Sequence, residues 1–258
     1  MIYSDFFNTF KNYQNDYVVI GGNAASILIG NQGGDFRQTQ DYDIVILFEN
    51  IQDDFSKVFF DYISNYEYDF CSGVNKDQHQ YYRFTNPKDN SAPKMIEMFS
   101  RIPLDYSLKE HNHKTPLHFE DGPSLSAIVL DDNYYSLLKL GKQVLTIDGV
   151  DIPTLKIPYL ILLKAKAHLD MASRDHVSHH ADKTKHRNDI FRLIPYMDLS
   201  EYNISEIPIA VLTDLKKFIE TLSEENSLTD NQLKSLKINT IIDVETILDT
   251  LKKMAGLM

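Results

Sequence analysis

The sequence predicts an α+β protein: a mixed sheet with flanking helices, followed by a C-terminal helical bundle. Three observations predict it. Two apolar runs, residues 18–20 and 44–47, flank a diglycine and a small-residue stretch, the pattern of strand, turn, helix and strand. Short apolar or aromatic segments bounded by turn residues recur as far as Thr154. From Ile157 onward the apolar residues take helical spacing, which sets a boundary between a domain at 1–156 and a helical bundle at 157–258.

In chain order, residues 4–13 read as a short amphipathic helix that turns Phe6, Phe7 and Phe10 to the core. Residues 53–65 read as a helix, with Phe55, Val58, Phe59, Tyr62 and Ile63 at helical spacing. A polar turn at 75–80, a strand at 80–85, a turn at 86–93 and a strand at 94–100 follow. Residues 103–124 read as a loop whose His111, His113 and His118 show no ligand geometry. Segments 126–130, 134–140 and 144–147 read as short strands, or as a strand and a brief helix. Asp148-Gly149 signals a turn, and 150–154 completes a hairpin. Pro158 suits the first turn of a helix over 159–171, with Leu160, Leu163, Ala167 and Met171 along one face. Lys164 lies beside that stripe, its stem partly covered and its ammonium reaching outward. A polar loop over 176–184 precedes a second helix from Lys185, on which Asp189 and Arg192 share a face. Residues 199–258 supply two or three further helices, including 207–222 and 231–254.

An apolar fraction of 43% allows an ordinary globular core. The single cysteine, Cys71, excludes an internal disulfide and favours a reducing compartment. The N-terminal residues lack the basic and apolar regions of a signal peptide, and no apolar run approaches the ~20 residues that span a bilayer. A cytoplasmic protein without a membrane partner is expected. The net charge of −11 argues against a surface that binds nucleic acid all over. Residues 161–192 nevertheless carry seven Lys/Arg against four acids, together with five histidines. That excess is either a local patch for a polyanion or a solvated helix face.

The chemistry gathers around residues 17–48. Side chains two apart on a strand leave one face, so Asp41 and Asp43 point into one small volume. Two carboxylates held so close repel unless a cation sits between them, and magnesium takes oxygen ligands while keeping places for water and phosphate. Gly21-Gly22 lets a backbone approach a phosphate at the start of the following helix. Glu97, an acid amid Ile96, Met98 and Phe99, requires a partner if it is buried. It is either a metal-bound or proton-accepting group or an exposed residue of an edge strand.

The diglycine, with Asp41-x-Asp43 beginning nineteen residues on from Gly22, resembles the nucleotidyltransferase superfamily. Arg37-x-Thr39-x-Asp41-x-Asp43 looks most like its AbiEii-type branch, the toxins of type IV toxin–antitoxin systems. The resemblance implies transfer of a nucleoside monophosphate from an NTP to a hydroxyl. A tRNA 3′ end is the first acceptor and a protein hydroxyl the alternative, with an antitoxin protein as a partner. It implies two magnesium ions, or manganese, held by Asp41, Asp43 and Glu97, where a third carboxylate follows the pair. It places Gly21, Gly22, Asn23, Arg37, Thr39 and Lys164 about the nucleotide. Asn23 stands where the family often has a hydroxyl residue. Lys164 and Asp189, by their spacing after the core, complete the catalytic set. Arg37 suits the triphosphate or, instead, pairs with Asp41 or Asp43. Asp189 either positions Lys164, helps hold the acceptor, or simply pairs with Lys185. Two other readings stand beside this one: a regulatory protein that kept the fold and lost the chemistry, and a nucleic-acid-binding module using the 164–192 face.

Overall fold

The computed structural model describes residues 3–37, 39–47, 49–50, 52, 54–70, 83–101, 114–117, 125–172, 180–224, 229–236, 238 and 242–258. The chain forms two compact units. The first comprises Met1–Ala24, Gln38–Tyr135 and Lys142–Leu155; the second comprises Ala25–Arg37, Ser136–Gly141 and Lys156–Met258. Two short segments that precede Lys156 in sequence therefore cluster with the C-terminal helices.

The first unit holds a mixed sheet of nine strands among the described residues. They are β1 (Tyr17–Ile20), β2 (Asp41–Ile46), β3 (Asp69–Phe70), β4 (Arg83–Thr85), β5 (Met95–Ser100), β6 (Lys114–Leu117), β7 (Leu125–Val129), β8 (Lys142–Ile147) and β9 (Val150–Leu155). Seven run in the order β3-β4-β5-β2-β1-β9-β8. β1 is antiparallel to β2 and parallel to β9, and β2 is parallel to β5. One edge of β5 is divided. Met95–Glu97 pair with β4, while Phe99 and Ser100 pair with β7. The hairpin of β8 and β9 turns at Asp148-Gly149, both with positive φ, as the turn signal predicts.

Aromatic packing fixes this sheet. Helix α1 (Ser4–Thr9) and the 3-10 turn Lys11–Tyr13 bring Phe6, Phe7 and Phe10 into the core, each 1% exposed. Phe10 lies 5.7 Å from Phe55 on α3 (Phe55–Asn65), and Phe6 lies 5.2 Å from Tyr42 on β2. Each buried ring of this size contributes about 1.5–3 kcal/mol. Because Tyr42 anchors the inner face of β2, its neighbours Asp41 and Asp43 are turned the other way.

In the second unit, α5 (Ile157–Ala172) packs on α6 (His180–Leu193) and α7 (Ile209–Glu224), and α7 packs on α9 (Val244–Met254). The first half of α5 is buried from Ile157 to Leu162 without a polar face. The expected apolar stripe therefore shows only at Leu160, while Leu163, Ala167 and Met171 are half-buried. Gly141 closes α4 (Asp132–Gly141); a Cβ there would lie 2.3 Å from Cγ of Tyr159, so only glycine admits that ring. Asp243 caps α9 by accepting from the Thr246 N–H at 2.8 Å.

Several elements depart from the sequence reading. Strand β6 lies within the expected 103–124 loop; among the described residues it pairs with β7 alone, and Pro116 is tolerated on such an edge strand. Residues 134–140 take the helical of the two readings offered for them. Helix α6 starts at His180 rather than Lys185, since a polar stretch without an apolar stripe still propagates a helix once its later turns are packed. The 231–254 segment divides into α8 (Asp230–Ser235) and α9. Cys71, the 75–80 turn, and His111, His113, His118, His176 and His179 lie outside the described residues. Among those described, no helix is long and apolar enough to cross a membrane.

Candidate functional site

The acids sit in the first unit where the sequence puts them. β2 opens with Asp41, exposed, and Asp43, half-buried, on one face. In the parallel pairing of β2 with β5, Asp43 is in register with Glu97 and Asp41 with Met95. Asp43 and Glu97 are thus lateral neighbours on one face of the sheet. The residue before α2 (Gly21–Asn31) is Ile20, the register partner of Asp43 on β1. A Cβ on Gly21 would lie 1.9 Å from Oδ2 of Asp43, so the carboxylate occupies the space a side chain would need. Gly21 also has a φ of +71°. Glycine therefore does two things here: it turns the strand into the helix and lets an aspartate reach the helix start, where the partial positive charge favours it. Replacing Gly21 by alanine is expected to cost about 1–2 kcal/mol through the positive φ alone. It also displaces Asp43, so a lowered melting temperature should come with lost activity.

Two residues of this unit have partners that the sequence left open. Glu97 has a partner, and it is Arg83: Nε of Arg83 donates to Oε1 of Glu97 at 2.9 Å, from its register position on β4. Asn23 is fully buried, and its Nδ2 donates to the backbone carbonyl of Asp41 at 3.2 Å. Its amide thus ties α2 to the start of β2. Gly22 and Thr39 are half-buried, the first in the opening turn of α2 and the second just before β2. Among the described residues no three His, Cys, Asp or Glu side chains gather closely enough to hold a metal ion. Asp41 faces Met95 in the register, and Glu97 is engaged by Arg83. The donor chemistry still suits a hard divalent cation. Asp41 and Asp43 offer only oxygens from one face, and magnesium commonly takes one or two carboxylates, with water and phosphate completing its shell.

A separate charged cluster forms within the second unit around Asp189, which is 0% exposed. Arg37 binds it through both fork nitrogens, Nε to Oδ1 and Nη2 to Oδ2, each at 2.9 Å. Lys164, 3% exposed on α5, donates to Oδ2 at 2.8 Å. Arg192, one turn along α6, lies 3.8 Å from Oδ1. Asp189 therefore belongs to Arg37 and Lys164 rather than Lys185, and Lys164 turns inward rather than reaching to solvent. Burial pushes the Asp189 carboxyl up, but the charges of Lys164 and Arg37 outweigh it and hold the group below the usual carboxylate range.

The residues that sequence reasoning missed are Arg83, Phe36 and His186, whereas Arg192 shares a face with Asp189 as expected. Phe36 lies under two guanidinium groups, with Arg37 5.2 Å and Arg192 5.9 Å from its centroid. His186 precedes Asp189 by one turn. Burial, then the charge of Lys164, push its imidazole from 6.5 down to about 4. In the unfolded chain it titrates at the ordinary value, so the folded protein binds fewer protons between those two pH values. Its contribution is fully present above pH 6.5 and is lost as pH falls toward 4, by about 3 kcal/mol at 1.36 kcal/mol per unit. His186→Gln removes this titration, so thermal melts of wild type and variant should differ least near pH 7 and most near pH 4, with the wild type falling behind on acidification.

No protein-family model matches the chain, and no curated protein matches it. Among solved structures it is similar to an antigenic nucleotidyltransferase-like protein from Paracoccidioides brasiliensis, with 16% identity and a TM-score of 0.47 over 91% of this chain and 90% of that chain.

Proposed function

We propose that this protein is a metal-dependent nucleotidyltransferase that moves a nucleoside monophosphate from an NTP to a hydroxyl acceptor. The observation that carries the reading is the junction of β1, α2, β2 and β5: Asp43 packed on Gly21 at a helix start, with Glu97 beside it in register. The G-G…R-x-T-x-D-x-D resemblance supports it independently. Asp41 and Asp43 are the residues that would hold magnesium, while Glu97 stays with Arg83. When bound, the metal neutralises phosphate charge and lowers the pKa of the attacking hydroxyl.

The protein's own groups supply the rest. Backbone N–H groups at the start of α2, opened by Gly21-Gly22, bind phosphate oxygens. Asp43, fixed by Gly21 and by the sheet register, keeps its carboxylate in one place without reorganisation. Glu97 holds the acceptor hydroxyl and takes its proton at a carboxylate oxygen, while Arg83 orients that carboxylate. Within the second unit, Arg37 and Lys164 provide positive charge for a phosphate-class anion, and Asp189 positions both.

A transfer-RNA acceptor end is the proposed target, which makes the protein toxin-like in the sense of the AbiEii-type branch, with an antitoxin as a natural partner. Incubation with each α-labelled NTP, magnesium and cell extract, followed by separation of RNA from protein, tests this. Label in the short-RNA fraction is the expected result. Label in protein alone would move the acceptor to a protein hydroxyl. Magnesium-dependent NTP binding with no labelled product of either kind would favour the regulatory alternative.

A further inference from the structure

Phe36 and Arg192, which stand beside Arg37, have no role in the reaction as derived so far. Two guanidinium groups share one ring and one carboxylate. Even with Lys164 left out of the count, they bring two positive charges against the single negative charge of Asp189. Both are partly open to solvent, with side-chain exposures of 27% for Arg37 and 18% for Arg192, whereas Asp189 is closed off. Like charges held on a common platform repel. Asp189 cannot relieve this fully, since both its oxygens already accept from Arg37. An anion of tetrahedral shape with two or more acceptor oxygens satisfies such a pair, because the planar forks present donors in fixed directions.

His186 adds a proton to the same place. Its Nδ1 is buried and has no hydrogen-bond partner among the described residues. It stands one turn before Asp189 on α6, and Arg192 stands one turn after. The charged groups that act on it are Lys164 from α5, Arg37 from the segment after α2, and Asp189 and Lys185 on its own helix. Burial first, and then the three cations among those four, keep the imidazole neutral while no added anion is bound. An added dianion cancels the net excess of two positive charges among those four groups.

We propose that Arg37 and Arg192, paired on Phe36, form a binding subsite for a phosphate-class dianion, and that His186 takes up a proton when the subsite is filled. The nucleotidyl-transfer reading enters only in naming the natural occupant, a phosphate group of the nucleotide or of the RNA acceptor. Affinity for the dianion accordingly rises as pH falls through the titration of the filled state.

Sulfate tests this without confusion, because it remains a dianion throughout the range used. The full chain is titrated with sodium sulfate against sodium chloride at matched ionic strength, at pH 7 and pH 5. Binding is followed by nuclear magnetic resonance of the histidine ring and arginine side-chain signals. Saturable sulfate binding at least fivefold tighter at pH 5 is expected, together with an upward shift in the His186 titration. Arg192→Gln should weaken binding at least fivefold, and His186→Gln should remove the pH dependence while the protein stays folded. Equal responses to sulfate and chloride, or an unchanged affinity in Arg192→Gln, would overturn the subsite. A pH dependence that survives in His186→Gln would overturn the proton uptake. Sulfate binding as described, alongside no nucleotidyl transfer to any acceptor, would uphold the subsite and remove only the assignment of the reaction.

Discussion

Replacing Asp189 by alanine is expected to lower the unfolding free energy by about 3–5 kcal/mol, the usual cost of removing one partner from a buried ion pair. Asp189 is 0% exposed and Lys164 is 3% exposed, so an ammonium would be left in the interior without the carboxylate that faces it at 2.8 Å. Arg37 would also lose both bonds of its fork. Such a lysine escapes only by losing its proton or by drawing water into the helix packing, and both are costly. Lys164→Met should be milder, because Asp189 keeps its bidentate partner and the methionine fills most of the vacated volume. Chemical denaturation of the three proteins at pH 7 measures the order: wild type most stable, Lys164→Met intermediate, Asp189→Ala least. If Asp189→Ala matched the wild type, the buried cluster would not be the organising feature of the second unit.

The second large effect concerns chemistry rather than stability. Asp43→Asn preserves the size of the side chain packed on Gly21, so the junction of β1 and α2 should stay folded. It removes the charge that a divalent cation requires. Loss of transfer by roughly a hundred- to ten-thousand-fold is expected, the range for removing an essential charged group from a polar reaction. A melting curve close to that of wild type should accompany the loss. The contrast with Gly21→Ala, which disturbs both fold and function, separates charge from geometry at the same point.

Much of the first unit was legible from local pattern. The diglycine, the small-residue helix and the Asp-x-Asp strand lie within one stretch of chain, and their spacing carries their geometry. Glu97 was legible as an acid needing a partner, and its register opposite Asp43 follows from two strands of ordinary pattern lying parallel. What eluded the sequence was the choice of partner. Arg83 meets Glu97 only because β4 lies on the far side of β5. Arg37 meets Asp189 across 152 positions of chain, a pairing no local period encodes. Lys164 was misjudged for a different reason. Its helix begins in a run, residues 157–163, that is apolar on every side, and such a run signals enclosure rather than a surface stripe. His186 carried no signal at all, because its role depends on which cations the fold brings near it.

The most direct measurement is the position of the transferred label. Wild type and Asp43→Asn are each incubated with magnesium, cellular RNA and an NTP labelled at either the α- or the γ-phosphorus. Nucleotidyl transfer at Asp43 predicts that only the α-label enters RNA, that unlabelled pyrophosphate leaves with it in equal amount, and that Asp43→Asn does neither. Label entering equally from wild type and Asp43→Asn, or only from the γ-position, would contradict the account.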